Sequence, residues 1–306
     1  MEDIATKVVG TISSANISGG DVPQAQRLEG FDTIPSRRIR MIDVVQNRST
    51  TSNKVEWVYQ AGKEGAAGQT GEGLVKNQID FNIVVGSQSA LKTTAFIKVT
   101  TEMLNDIVWL EQEIRAELTR EILKVVEAQL YAGDNTGLNH NGIRTVASAF
   151  AAGAFAGTVD NANVLDVFVV AMNQIEVAME GEAIPNYVFV HPNTVAALKL
   201  YKVSATDRRY VDRLVMAGSN LTFDSLTIVP TTLVTAGQYL IGDFSMAELY
   251  THETMNIMMG MDGSDFTLNL RTIIAEWRGM TVVRTLRRPS FVAGVIATDA
   301  ALLETP

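Results

Sequence analysis

Residues 100–133 carry the longest sustained apolar pattern of the chain. Apolar side chains recur there every three or four residues, as on one face of an α-helix, at Met103, Ile107, Leu110, Ile114, Leu118, Ile122, Val125 and Leu130. Thr100 or Thr101 can cap the start, and Gly133 suits the position just past the end. The pattern predicts one long helix with a single buried face, about 35 Å long over residues 109–131 at roughly 1.5 Å per residue.

Residues 55–85 show two alternating runs that flank a glycine-rich polar segment. Val55, Trp57 and Tyr59 alternate with polar or smaller residues in the first run, and residues 79–83 alternate in the second. This arrangement predicts a two-stranded β-ribbon with a flexible tip, whose second strand can continue through residues 91–99. A lone ribbon is only marginally stable in water. We therefore expect it to lie on another surface.

Residues 159–244 combine short helices and strands in the manner of an α/β unit. Helical patterns cover residues 160–182, with Asp160 or Asn161 as cap, residues 193–202, with Asn193 as cap, and residues 208–218. Strand patterns cover residues 186–190, 225–232 and 237–244. From residue 246 onward the chain predicts long antiparallel strands with a turn at residues 262–263. We expect these strands to pack against the buried face of the long helix.

Composition narrows the class of protein. The chain has 306 residues, 46% of them hydrophobic, and a net charge of −9, which argues against nucleic-acid binding through an overall positive field. It has no cysteine and so no disulfide or thiolate site. No apolar run approaches the roughly 20 residues of a membrane span, and no signal peptide is recognisable. Residues 1–35 are rich in turn formers, which predicts either a disordered tail or an arm that orders on a neighbouring molecule.

The sequence contains no signature of an enzyme. The three histidines, His140, His191 and His252, have no partner at metal-ligand spacing, and no esterase nucleophile motif is present. The ribbon glycines do not form a phosphate-binding loop, because Gly62 and Lys63 are followed by a glutamate. We therefore expect no catalytic residue, no cofactor and no metal.

Two basic clusters are candidates for ion pairs or a solvated face. The first comprises Arg37, Arg38 and Arg40. The second comprises Arg284, Arg287 and Arg288, near Pro289. On an acidic chain, phosphate binding is the less favoured role for such clusters.

Several of these segments together resemble the major capsid proteins of tailed bacteriophages, which share the Hong Kong 97 fold. The resemblance covers nearly the whole chain. Residues 98–143 resemble a run of elements found in this family. A strand is followed by a short helix, a helix break marked by an aspartate (here Asp106), the long spine helix and a Gly-rich turn. Residues 187–200 and 241–250 resemble the entry to and exit from its axial domain, and residues 265–296 resemble its closing strands with a Pro-aromatic step.

The resemblance implies an α+β chain divided into four parts. These are an N-terminal arm (1–40), an extended β-hairpin loop (41–98), a peripheral domain (99–158 and 245–306) with the spine helix, and an α/β axial domain (159–244). In the family, axial domains meet around five-fold and six-fold axes, and the extended loop lies across the adjacent subunit. We therefore expect self-assembly into hexamers and pentamers of an icosahedral or prolate head.

Further expectations follow from the same resemblance. The shell would enclose double-stranded DNA without sequence-specific binding, form in the host bacterial cytoplasm, involve no membrane, and have portal, scaffold and decoration proteins as partners. No long helical, charged prefix precedes the arm, and both a separate scaffold protein and a cleaved scaffolding segment stay open. No crosslinking residues are assigned. The candidate subunit-interface residues are Arg37, Arg38, Arg40, Trp57, Tyr59, Lys63, Arg284, Arg287 and Arg288.

Two other functions remain open at this point. An encapsulin-like compartment would share the fold and hold an enzyme cargo. The long polar segment before Arg37 favours the phage shell instead. The other alternative is an unrelated α/β hydrolase or ligand-binding protein, and the missing nucleophile and ligand motifs count against it.

Overall fold

The computed structural model describes residues 34–107, 109–200, 214–217 and 220–305, and it combines helices with parallel and antiparallel strands. Residues 1–33 of the predicted arm lie outside this range. So does most of the helix predicted at 208–218, and its described part, Leu214–Ala217, forms a strand instead.

The predicted ribbon is present. The first four strands are β1 (Gln46–Ser49), β2 (Lys54–Glu64), β3 (Asp80–Ser89) and β4 (Leu91–Thr100). Among the described strands, β2 and β3 pair only with each other, in antiparallel register, with Val58 opposite Val85. The chain continues extended beyond β3 as predicted, but it changes partner at Ala90, and β4 pairs with a closing strand at Leu270–Val283.

The apolar pattern of residues 100–133 forms two helices, α1 (Thr101–Asp106) and α2 (Leu110–Ala132). The single helix predicted from the spacing is therefore wrong, and the break at Asp106 that the resemblance implies is confirmed. Thr100 caps α1 by accepting a hydrogen bond from the Met103 nitrogen. The break arises because Ile107 adopts an extended conformation, with φ −122° and ψ 90°. Gly133 ends α2 where a Cβ atom would overlap the His140 carbonyl oxygen.

The buried face of α2 follows the predicted spacing with one error. The buried apolar residues of this face are Leu110, Ile114, Leu118, Ile122, Val126 and Leu130. Val125, predicted to be buried, is exposed. The next buried position after Ile122 lies four residues further on, at Val126, rather than three.

The segment after α2 contains three α-helices, two strands and a short 3₁₀ helix at Gly153–Phe155. The α-helices and strands are α3 (Ile143–Val146), β5 (Ser148–Ala149), α4 (Val164–Ala178), β6 (Tyr187–Val190) and α5 (Pro192–Leu200). The cap of α4 is Asn163 rather than Asp160 or Asn161, and Asn163 forms a capping box with Asp166.

Asn193 is likewise not a cap. It lies inside α5, where its backbone nitrogen donates to His191 Nδ1. The side chain of the preceding histidine therefore accepts the hydrogen bond that a cap would accept.

The remaining elements are mostly strands. They are β7 (Leu214–Ala217), β8 (Asn220–Phe223), β9 (Leu226–Pro230), β10 (Gln238–Gly242), β11 (Ala247–Gly260), β12 (Leu270–Val283), β13 (Phe291–Val295) and the final helix α6 (Ile296–Leu303). One sheet has the order β1-β11-β12-β4, and a seven-stranded sheet has the order β5-β13-β10-β6-β9-β8-β7.

The seven-stranded sheet separates two hydrophobic cores. Phe189, Leu240 and Phe291 face the core that contains the buried side of α2. Their strand neighbours, such as Val188 and Ile241, face a second core that contains α4. β12 also contributes to the first core, which confirms that the closing strands pack against the long helix.

Candidate subunit-interface surfaces

The described residues contain no arrangement suited to metal chemistry. No group of three or more His, Asp or Glu side chains within the described ranges could hold an ion. His140 is buried beside the Trp277 ring, His191 accepts from its own helix, and His252 contacts the Thr50 carbonyl oxygen. Among the described helices, none combines the length and apolar composition of a membrane-spanning segment.

The first basic cluster meets one buried carboxylate, that of Glu127 on α2. Arg37 Nε lies 3.0 Å from Glu127 Oε2, and its Nη2 donates to the Lys124 carbonyl oxygen. The backbone nitrogens of Arg40 and Met41 donate to Glu127 Oε1 at 2.7 and 2.8 Å. Arg38 is exposed. The Arg37 pair lies within one chain, and contacts of Arg37, Arg38 and Arg40 with another chain stay a prediction.

The second basic cluster also meets a buried carboxylate, that of Glu248 on β11. Arg284 and Arg287 lie 3.3 and 3.7 Å from Glu248 Oε1. Arg48 on β1, which the sequence did not single out, lies 3.5 Å from the same oxygen. Tyr250 donates its hydroxyl to Glu248 Oε2, and burial, reinforced by that carboxylate, raises the pKa of Tyr250.

Arg288, the last residue of the second cluster, is half-buried. Its Nε is buried and has no hydrogen-bond partner within the described part of the chain. The structure therefore distinguishes Arg284 and Arg287, which share a carboxylate, from Arg288, which does not.

The ribbon has two chemically different faces. Val55, Trp57 and Tyr59 are half-buried, and the first two pack against Met280 and Val282 of the same chain. The ring of Trp57 lies over Gly86, where any side chain would overlap it. Lys63, near the far end of β2, is exposed.

The opposite face of the ribbon is apolar and open to solvent. Val58, Ile83 and Val85 point to this side and are 66%, 64% and 59% exposed. The sequence prediction chose Trp57 and Tyr59 and missed these residues. The available signal was that both phases of the alternation are apolar here, which is typical of a strand covered on both faces.

A second exposed apolar row crosses the four-stranded sheet on the face away from α2. Phe96 on β4 and Met258 on β11 both lie opposite Ile274 on β12. Phe96 and Met258 are exposed.

An ion pair borders this row. Lys98 Nζ lies 2.8 Å from Asp265, and that contact, with the Thr272 hydroxyl, lowers the pKa of Asp265 to about 2. The face of the four-stranded sheet that points away from α2, here called the outer face, thus combines an apolar row with an ion pair. Such a composition is found at protein interfaces.

The chain matches a known protein family. The family model described as the phage capsid family matches residues 19–288. The major capsid protein of Enterobacteria phage HK97 is 24% identical over 265 residues, which are 85% of this chain and 66% of that protein. The chain thus spans just under two thirds of the length of this curated relative.

Solved structures resemble the chain over most of its length. A chain from Microbacterium phage Oxtober96 has a TM-score of 0.69 at 14% identity, covering 89% of this chain and 95% of that one. The capsid of an empty GTA particle has a TM-score of 0.72 at 13% identity, covering 94% and 99%. The capsid of Myoviridae phage XM1 has a TM-score of 0.64 at 13% identity, covering 94% and 99%. At these identities the similarity shows a shared fold, which confirms the predicted α+β architecture.

Proposed function

Because the chain belongs to the phage capsid family, we propose that it is the major capsid protein of a tailed bacteriophage. The family is one of structural proteins, so the role is to build a wall rather than to catalyse a reaction. The chain has the fold of the Hong Kong 97-type capsid proteins. These relatives favour a phage head over the encapsulin-like compartment and over an α/β hydrolase.

The observation that carries this proposal is the uncovered apolar face of the ribbon. Val58, Ile83 and Val85 are each more than half exposed, although burying such a side chain fully contributes roughly 1.5–3 kcal/mol. β2 and β3 pair with no third strand in the described part of the chain. A second copy that covers this face would supply the missing surface.

We further propose that the ribbon lies across the outer face of the four-stranded sheet of an adjacent subunit. The row formed by Phe96, Ile274 and Met258 offers apolar surface to receive it. In this arrangement the four predicted parts act as arm (1–40), extended loop (41–98), peripheral domain (99–158 and 245–306) and axial domain (159–244). The exposed Arg38 and Lys63 and the two arginine clusters would then make contacts between subunits.

The assembled object that we propose is a closed head of hexamers and pentamers around packaged double-stranded DNA. The net charge of −9 supports an inner wall that does not bind the genome tightly. Portal, scaffold and decoration proteins would be its partners, and assembly would take place in the host bacterial cytoplasm.

Electron microscopy of the purified protein tests the proposal. The chain is expressed alone and together with a neighbouring scaffold gene. Closed shells, or rings of five and six subunits, are the expected result in at least one condition. A homogeneous monomer in both conditions would refute the proposal.

A further inference from the structure

The arginine cluster around Glu248 has an unbalanced charge. Arg48, Arg284 and Arg287 share the single carboxylate oxygen Oε1 of Glu248. No other carboxylate pairs with these three side chains among the described residues, so two positive charges remain in excess.

The three arginines can still reach another molecule. Their side chains are between 36% and 48% exposed, whereas that of Glu248 is 1% exposed. Each guanidinium carries five N–H donors, and the described contacts use only one of them for Arg284, namely Nη2 to Glu248. Free donors in a planar fork suit an anion, either a carboxylate or a phosphate, as the additional ligand.

One face of the far end of the ribbon carries two negative charges, and the neighbouring Lys63 points to the opposite face. Glu64, the last residue of β2, lies directly opposite Asp80, the first residue of β3. Side chains in such a pair point to the same face with Cβ atoms about 4.5–5.5 Å apart, and two like charges there destabilise the pairing. Both residues are exposed, and neither forms an ion pair within the described ranges.

The backbone holds these two carboxylates together. Gly65 follows Glu64 with φ +77°, a left-handed conformation that favours glycine. A Cβ atom at Gly65 would overlap the Gln78 carbonyl oxygen, so the two strands approach closely just beyond the pair. Separating the strands would reduce the repulsion between Glu64 and Asp80, but it would also break the close approach of Gly65 to Gln78.

We propose that the Glu64–Asp80 pair of one copy binds the Arg48–Arg284–Arg287 cluster of a second copy. The two excess negative charges of the pair match the two excess positive charges of the cluster. Within one chain the groups are not in contact. The extended ribbon carries Glu64 about 33 Å from Lys54 at its base, at roughly 3.3 Å per residue.

The first basic cluster provides a contrast. Arg37 faces Glu127 as one cation to one anion, and that carboxylate is further satisfied by two backbone nitrogens. The Arg37–Glu127 pair therefore has no unmatched charge, whereas the side chains of Arg38 and Arg40 form no ion pair among the described residues. The inference rests on the proposed function, because it requires self-assembly, and it names residues on both sides of one contact.

A charge-reversal series tests the contact. Glu64→Lys is compared with Glu72→Lys, which makes the same charge change at another exposed glutamate of the ribbon tip. Glu64→Lys should raise the protein concentration needed for assembly about tenfold, the equivalent of about 1.4 kcal/mol, and Glu72→Lys should leave it near the wild-type value. The combined variant Glu64→Arg/Asp80→Arg/Arg284→Glu/Arg287→Glu should recover assembly relative to either half alone.

A cross-link locates the contact directly. The chain has no cysteine, so an introduced pair is unambiguous. A disulfide would need Cβ atoms within about 4.5 Å, closer than an Arg–Glu pair holds them, so a short bis-maleimide is applied to assembled Glu64→Cys/Arg287→Cys. A ladder of covalent multimers under denaturing conditions is expected, and Glu72→Cys/Arg287→Cys should give none.

The outcomes separate this inference from the proposed function. If wild-type protein forms shells while Glu64→Lys assembles like Glu72→Lys and the cysteine pair gives no ladder, the contact is wrong and the capsid role stands. If the arginine variants alone lose DNA retention with no effect of Glu64→Lys, the cluster binds phosphate instead. If wild-type protein never forms shells or rings, both proposals fail.

Discussion

Glu127 Oε1 accepts a hydrogen bond from the backbone nitrogen of Arg40 at 2.7 Å, across 87 positions of sequence. The same oxygen accepts from Met41, and Oε2 lies 3.0 Å from Arg37 Nε. One fully buried carboxylate on α2 therefore fixes the path of the segment that enters β1.

We expect Glu127→Ala to lower the free energy of unfolding by about 3–5 kcal/mol, because removing one partner of a buried pair leaves the other donors unsatisfied. Urea denaturation of unassembled protein measures this change. Glu121→Ala on the same helix is the matched control. Glu121 is exposed and pairs with Lys124, so its loss should cost no more than about 1 kcal/mol. Equal effects of the two substitutions would contradict the role of Glu127.

Stability should decrease in mild acid because of His140. Burial lowers the pKa of His140 to about 4, below the unfolded value near 6.5. Between these two values the unfolded chain binds the proton more readily than the folded chain, so the contribution of His140 is full above pH 6.5 and is lost as the pH falls toward 4. The loss amounts to about 3 kcal/mol.

Denaturation curves of wild type and His140→Leu between pH 7 and pH 4 measure this effect. Neither ring nitrogen of His140 has a hydrogen-bond partner in the described part of the chain, so leucine removes titration without removing a bond. The stability difference between the two proteins should change by that amount across the range. A constant difference would show that His140 does not titrate on unfolding.

Gly86→Val should loosen the ribbon from the body of the subunit. A side chain at position 86 would overlap the Trp57 ring, which packs near Met280 and Val282. We expect a shift in tryptophan fluorescence and faster amide exchange in β2 and β3, with the cores around α2 and α4 unchanged. Trp57→Leu combined with Gly86→Val should restore slow exchange, and failure of this rescue would place the strain elsewhere.

Polar residues on the open face of the ribbon should affect assembly but not folding. Val58→Ser/Ile83→Ser changes side chains that are already well exposed, so the free energy of unfolding of unassembled protein should change by no more than about 1 kcal/mol. Assembly, followed by light scattering and microscopy, should be strongly reduced. Leu138→Ser, at a residue 85% exposed outside the ribbon, is the control. Unchanged assembly in the double variant would argue against ribbon contacts between subunits.

The sequence predicted the elements whose signal is local. The ribbon, the end of the long helix at Gly133 and the strands at 186–190 and 237–244 depend on alternation, glycine and short apolar runs. The missed details depend on tertiary context. Whether Val125 or Val126 is buried depends on the helix phase after Ile122, and the change of strand partner at Ala90 depends on a closing strand almost 200 residues away.

The candidate site was harder to predict than the fold. The buried carboxylates of Glu127 and Glu248 are the centres of both arginine clusters, yet nothing in their local sequence marks them as buried. Arg48 joins Glu248 across 200 positions. A single sequence has no signal for pairs of that separation, and a glutamate is by default expected at the surface.

The change of partner at Ala90 has a mechanical consequence. β3 ends and β4 begins on either side of this one residue, and its nitrogen donates to the Asn53 carbonyl oxygen just before β2. Both strands of the ribbon therefore join the rest of the subunit at one hinge, formed by Asn53 and Ala90. Rotating the ribbon about it breaks none of the β2–β3 or β4–β12 pairings. Among the described contacts, it disturbs the small cluster of Val55, Trp57 and Tyr250 on Met280 and Val282 and the hydrogen bond from Gln88 to Asn135. The direction of the ribbon is thus set by a few side-chain contacts, and one subunit can adapt the angle of its arm without refolding either sheet.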